Sequence, residues 1–214
     1  MDYSKVCKEV THKYYNERLC IREIKDVVVK FLEHNKGYVF NEIKQYKTKI
    51  EACKDEYELF QVEQEQIPIR CVDFEQSYLV GCLAYIMSSL EYNLYTVLVK
   101  HKRKKINKPT KNILINLMNR IDKKLSNSLQ EQFDNIVIIS KIRNSFIHNG
   151  GDTDNLSKKV ITFILDKTDI IRIVNNANGQ KVIMLTNLFI LYTATHTEKF
   201  FLELTNYLVD RTKH

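Results

Sequence analysis

The sequence predicts an all-α protein, a helical bundle with one small β-hairpin inserted before the C-terminal helix. Three observations predict it. Apolar residues recur at spacings of three and four through most of the chain, the period of a helix with one buried face. Five Gly and two Pro in 214 residues leave few points at which a helix must stop. One segment near the C-terminus departs from this period and is rich in β-branched residues around an Asn-Gly pair, a hairpin signal.

Taken in order, Val6, Val10, Tyr14, Leu19, Ile21, Ile24, Val28, Phe31 and Leu32 predict a first helix over residues 3 to about 34. Asn35-Lys36-Gly37 ends it, with the glycine as C-terminal cap. A second, highly charged helix is expected from about 39 to 65, with Phe40, Ile43, Tyr46, Ile50, Cys53, Tyr57 and Phe60 along one side. Gln66-Ile67-Pro68-Ile69 breaks it. A third runs from 73 to about 100. Its nearly apolar stretch between Leu79 and Leu90 places it at the centre of the bundle. Pro109 suits the first turn of a fourth helix, which continues through Ile113, Leu117, Ile121 and Leu125.

A fifth helix is expected from about 129 to 148, stopping at Asn149-Gly150-Gly151. Residues 168–175 and 180–185 flank Asn178-Gly179 as the two strands of the hairpin. Thr186 is an N-cap for the last helix, which runs to about Val209. The predicted organisation is an N-terminal helical extension over 1–70, packed on a helical domain over 71–214 with its hairpin at about 168–185.

Composition narrows the function. With 44% hydrophobic residues the chain can bury a core, while charges interrupt each apolar segment, so no membrane span is expected. The opening MDYSKVCKEV lacks the apolar stretch of a signal peptide. Cys7, Cys20, Cys53, Cys71 and Cys82 are odd in number and contain neither CxxC nor zinc spacing. They are read as reduced thiols of a cytoplasmic protein.

Thirty-three Lys and Arg against 26 Asp and Glu leave a net charge of +7, a balance that attracts polyanions. The densest positive stretch is Lys100-His101-Lys102-Arg103-Lys104-Lys105, continuing to Lys108 and Lys111. Lys100, Lys102, Arg103, Lys104, Lys105 and Lys108 are therefore RNA-binding candidates. The same charges also suit a solvated helix end.

The chemistry is carried by Ile142-Arg143-Asn144-Ser145-Phe146-Ile147-His148-Asn149-Gly150-Gly151. On a helix Asn144 and His148 are about 40° apart and share a face, whereas Arg143 lies about 140° round from His148. Ile136, Ile139 and Ile147 surround Arg143 on an otherwise apolar side. A buried unpaired guanidinium costs several kcal/mol, on the order of the ion-desolvation penalty, so Arg143 is expected to snorkel to solvent, pair with a carboxylate, or face a cleft that receives an anion. Glu91, among Ile86, Met87, Leu90 and Leu94, is the candidate partner. His148 occupies the last helical turn, where the macrodipole favours the imidazolium and suits it to proton transfer.

A guanidinium for phosphorane charge and an imidazole for protons are the parts of metal-free RNA cleavage. No Asp/Glu cluster at metal-binding spacing occurs, and neither metal nor cofactor is expected. Ser145 has no local base and is not read as a nucleophile. His12, His34, His101, His196 and His214 show no partner pattern, and most of the twelve tyrosines are read as core or rim residues.

Arg143-Asn144 followed by His148 resembles the signature of the HEPN superfamily, Arg, four to six residues, then His, with a polar residue after the Arg. Glu91, in Ser88-Ser89-Leu90-Glu91, resembles the acidic residue that supports the Arg in many members. The resemblance spans about residues 73 to 210. It implies a metal-independent endoribonuclease of toxin, abortive-infection or defence type. Such enzymes direct a ribose 2′-hydroxyl at the adjacent phosphate and leave a 2′,3′-cyclic phosphate. Arg143 and His148 would be catalytic, Asn144 would orient one of them, and Glu91 would support Arg143. The resemblance also implies a homodimer with a composite site, and a possible antitoxin or defence-complex partner. Members paired with a nucleotidyltransferase antitoxin often carry Tyr two residues after the His. Gly150 stands there in this chain, so that mode of neutralisation is not expected. The competing readings are a non-catalytic helical module that binds RNA or protein through the basic stretch, and a subunit of a larger defence complex whose chemistry lies on another chain.

Overall fold

The computed structural model describes residues 14–102, 107, 109, 112–121 and 125–211. Among them the chain forms seven helices and one hairpin. These are α1 (Tyr15–Ala52), α2 (Glu56–Gln64), α3 (Ile67–Lys102), α4 (Ile113–Ile121), α5 (Asn127–Asn149), α6 (Lys158–Leu165), β1 (Ile171–Asn175), β2 (Lys181–Leu185) and α7 (Asn187–Arg211). The protein is thus an all-α bundle with a hairpin before its last helix, as the sequence predicts. No helix among the described residues is long and apolar enough to cross a membrane.

Helix α3 is the axis of the bundle and packs against α1, α4, α5 and α7. Leu79, Leu83, Ile86, Met87, Leu90, Leu94, Val97 and Leu98 are sealed from solvent along it. This is the apolar stretch whose all-round hydrophobicity marks a central helix. Helix α1 joins the same hydrophobic cluster through Ile21, Ile24, Val28 and Leu32. Polar ties fix it to α7: Arg18 donates to Thr205 Oγ1 (2.8 Å) and Asn206 Oδ1 (2.7 Å). The expected domain boundary at 70/71 falls inside α3, and residues on both sides of it share one core.

Several boundaries differ from expectation. Gly37 does not end a helix; α1 runs through it for 38 residues. An interior glycine costs only about 1 kcal/mol relative to alanine. Contacts on both sides of it hold α1 against α3: Tyr78 donates to the Phe31 carbonyl (2.8 Å), and the Tyr38 and Phe74 rings lie 4.6 Å apart. The break comes instead at 53–55. There Asp55 caps α2 by accepting from Glu58 N–H, and Glu58 reaches back to Lys54 N–H, each at 2.8 Å. The predicted second helix is therefore divided between the end of α1 and α2.

Gln66, with φ of 50°, makes the next turn, so Pro68 stands in the first turn of α3 rather than before it. The missing N–H of a proline is not required there. Pro109 precedes α4 instead of opening it, because Asn112 at φ 45° sets the helix start at Ile113. Leu125 lies beyond the end of α4.

Helix α6 is not anticipated by the sequence. Eight residues with Val160, Phe163 and Ile164 buried are too few to reveal a helical period within a β-branched run. In the hairpin Ile171 pairs with Leu185 and Asn175 with Lys181. The strands are joined through a turn in which Gly179 N–H donates to Asn176 O (2.9 Å) and Gly179 takes φ of 77°. Gln76 of α3 clasps the end of β2, donating to Leu185 O (3.0 Å) and accepting from Leu185 N–H (2.9 Å). Thr186 caps α7 through Phe189 N–H (3.2 Å), and its hydroxyl donates to the Ile170 carbonyl.

Candidate active site

Helix α5 supplies the site. It starts at the Ser126 cap, whose Oγ accepts from Leu129 N–H. It buries Leu129, Phe133, Ile136, Ile138, Ile139 and Ile142. It ends at Gly150 in the left-handed region (φ 60°, ψ 23°), with Gly150 N–H donating to Phe146 O (3.2 Å) and Gly151 N–H to Ser145 O (3.1 Å). Ile147, expected on the apolar stripe, is half exposed instead.

Arg143 Nη2 donates to Glu91 Oε1 at 2.7 Å, joining α5 to the central α3. Only 15% of the Arg143 side chain and 10% of the Glu91 side chain are exposed, so the ion pair is largely desolvated. Arg143 Nε is buried without a hydrogen-bond partner among the described residues. The guanidinium therefore retains unused donor capacity. Of the outcomes open to Arg143 in the sequence, pairing with a carboxylate is the one found, and Glu91 is that carboxylate.

Arg143 and His148 line one hollow of about 240 Å³, although they lie on different sides of α5. Asn144, Lys141, Ser140 and Val137 complete the α5 wall, with Glu91 behind. The opposite wall is Asn112 and the first turn of α4, Ile113, Leu114 and Ile115. The first backbone N–H groups of a helix have no intrahelical acceptor, and that end carries the positive side of the macrodipole. Against Arg143 and Lys141 the lining sets one carboxylate, Glu91, which is engaged by Arg143. Its electrostatics thus favour an anion with hydrogen-bond-accepting oxygens, as phosphate has.

A second hollow, of about 320 Å³, lies along the same end of α5. It shares Lys141, Asn144 and His148 with the first and adds Ser145, Asn149, Asp152, Asn155, Leu156 and Ser157. The loop that closes it is pinned from two directions. Ser145 Oγ donates to Asp152 O (2.8 Å), while Thr153 N–H donates to Lys181 O (3.2 Å) and Ile183 N–H to Gly151 O (2.9 Å). The hairpin thus holds the segment after α5 in place. Ser145 is buried and tied to this loop, a structural role.

Lys141 and the α4 N-terminus were missed by sequence reasoning. Lys141 stands three residues before Asn144 and seven before His148, so helical spacing alone places it on their face. The α4 wall had no such signal, because docking of a helix some thirty residues away leaves no periodic mark.

Of the basic candidates, Lys100 pairs with the buried Glu17 and Lys102 is exposed at the end of α3. Arg103, Lys104, Lys105 and Lys108 lie outside the described residues. In sequence this stretch leads through Lys111 directly to Asn112 at the hollow. His196 lines neither hollow. It stacks on Tyr192 (centroids 3.8 Å apart), and burial holds its imidazole below the usual histidine range, opposed by the Tyr192 carbonyl. No group of three or more His, Cys, Asp or Glu placed to hold a metal ion occurs among the described residues. Compared with protein families, with curated proteins and with solved structures, the chain matches none.

Proposed function

We propose that the protein is a metal-independent RNA endonuclease of the HEPN type, a cytoplasmic toxin or an abortive-infection or defence effector. The observation that carries this reading is that Arg143 and His148 line one hollow, with Glu91 holding the guanidinium from behind. A phosphodiester seated there meets Arg143 and Lys141 as cations, the positive N-terminal end of α4, and His148 as the proton carrier. His148 takes the proton of the ribose 2′-hydroxyl as that oxygen attacks phosphorus. The P–O2′ bond forms, the P–O5′ bond breaks, and an imidazolium returns a proton to the departing 5′-oxygen. The products are a 2′,3′-cyclic phosphate and a 5′-hydroxyl. Arg143 carries the extra charge of the phosphorane, where a preorganised cation is most effective. Asn144, beside His148, orients the ring or a phosphate oxygen.

The two catalytic groups reach one hollow within a single chain, so a second copy is not required to unite them. A homodimer, as the resemblance implies, would close over the exposed Ile115 in the wall of the hollow and bring a second imidazole to act as acid. A restraining partner, whether an antitoxin or a defence-complex subunit, would act by covering this opening.

The test is incubation of the purified protein with mixed RNA in EDTA, with the ends of any fragments identified. Cleavage leaving 2′,3′-cyclic phosphates is expected, falling about 100-fold or more in His148→Ala and in Arg143→Ala. No cleavage, or His148→Ala cutting as fast as the parent, overturns the proposal. RNA binding without cleavage favours the alternative, a non-catalytic module working through Lys102 and the basic stretch after it.

A further inference from the structure

We propose that the second hollow is a nucleobase subsite, selecting the nucleotide next to the phosphate that is cut. The inference rests on the ribonuclease reading and deepens it. Lys141, Asn144 and His148 form a ridge that belongs to both hollows. A nucleotide whose phosphate occupies the first has only this ridge between it and the second. Such a placement puts a flanking sugar over the ridge and its base in the second hollow.

The lining there fits a base edge better than a phosphate. Lys141 and His148 stand on the ridge, and Asn149, Asp152, Asn155 and Ser157 complete the polar lining with two amide residues, a carboxylate residue and a hydroxyl residue. Amides donate and accept at once and read base edges, whereas a carboxylate repels a phosphate. Leu156 supplies an apolar surface for a base face. Among the described residues no aromatic ring lines the hollow, so stacking that tolerates any base gives way to hydrogen bonding that discriminates between them.

The turn that carries Asp152 is also held still. Gly150 and Gly151 turn the chain at φ 60° and 87°. Asp152 is fixed through its carbonyl to Ser145, through Oδ1 to Asp154 N–H (2.9 Å), and by pairing with Val182 on β2. Rigid recognition groups lose little freedom on binding, which favours selection. An ionised carboxylate accepts and does not donate. Beside two amides it matches a base with adjacent N–H donors and a neighbouring oxygen, and guanine is that base.

The experiment is cleavage of a randomised-sequence RNA in EDTA, with fragment ends sequenced, for the parent, Asn155→Ala and Asp152→Asn. Asn155 is exposed on the pinned loop, and Asp152→Asn retains an acceptor for Asp154 N–H, so both variants are expected to fold. The parent should prefer guanine about tenfold or more at one position flanking the cut. Asn155→Ala should flatten that preference, read as the ratio of cuts beside guanine to cuts beside the other bases. Asp152→Asn should move it toward adenine, which matches an amide. A parent that cuts with no base preference, or variants that keep the parental preference, overturn the subsite and leave the ribonuclease reading standing. A parent that cuts no RNA overturns both.

Discussion

Arg143 is a cation in a place that would otherwise be core, and its tie to Glu91 decides both the stability of this region and its chemistry. Removing one member of a desolvated pair leaves the other charged and unsatisfied, which costs more than the pair contributes. Glu91→Ala is therefore expected to lower unfolding free energy by about 2–4 kcal/mol in urea titrations. The double variant Glu91→Leu/Arg143→Met should recover most of that loss, because two apolar groups replace two charges. Its RNA cleavage should stay as low as that of Arg143→Ala. A double variant no more stable than Glu91→Ala alone would show that the ion pair is not what makes that substitution costly. The sequence narrowed Arg143 to snorkelling, a carboxylate or an incoming anion, and the choice of Glu91 among these depends on how α3 and α5 dock. Lys141 was equally readable from its spacing to Asn144 and His148, yet it carries no signature of its own among so many surface lysines.

At the scale of elements, glycine is the residue whose local meaning the sequence leaves most open. Gly150 ends α5 in the left-handed region, where L side chains are strained, while Gly37 sits inside α1 with open space around the position of a Cβ. Both follow an amphipathic run and both look like C-caps. What separates them lies elsewhere in the chain: Tyr78 and Phe74 of α3 hold the helix on either side of Gly37. Gly37→Ala should accordingly raise stability by about 1 kcal/mol, seen as an increase of about 2–4 °C in Tm. A loss of stability would mean that α1 is interrupted there as the sequence first indicates. The same logic explains the other boundaries. Gln66 and Asn112 adopt positive φ without being glycine; asparagine favours that region among side-chain residues, whereas glutamine does not announce itself by type. The hairpin and the α7 cap were legible because their signals, Asn178-Gly179 and Thr186, are local. Short α6 and the α4 wall of the active-site hollow depend on packing between distant segments.

For the whole molecule, the question is whether residues 71–214 are a domain with an extension or part of one indivisible core. The segment 15–52 lies against α3 and α7 along one side, and Ile21, Ile24, Val28 and Leu32 are each nearly sealed. Burying one such side chain contributes about 1.5–3 kcal/mol. Four together are then comparable to the whole stability of a typical domain, about 5–15 kcal/mol. Without α1, the apolar faces of α3 and α7 would also be open to water, and Thr205 and Asn206 would lose Arg18. A fragment spanning 71–214 is therefore expected to show no cooperative urea transition and to aggregate on concentration, while the full chain unfolds in one step. Adding a separate peptide of residues 1–70 should restore a cooperative transition, since the missing face would be supplied in trans. A fragment that folds cooperatively by itself would instead establish α1 and α2 as a removable extension, and their place would then be sought in docking or in covering the hollow.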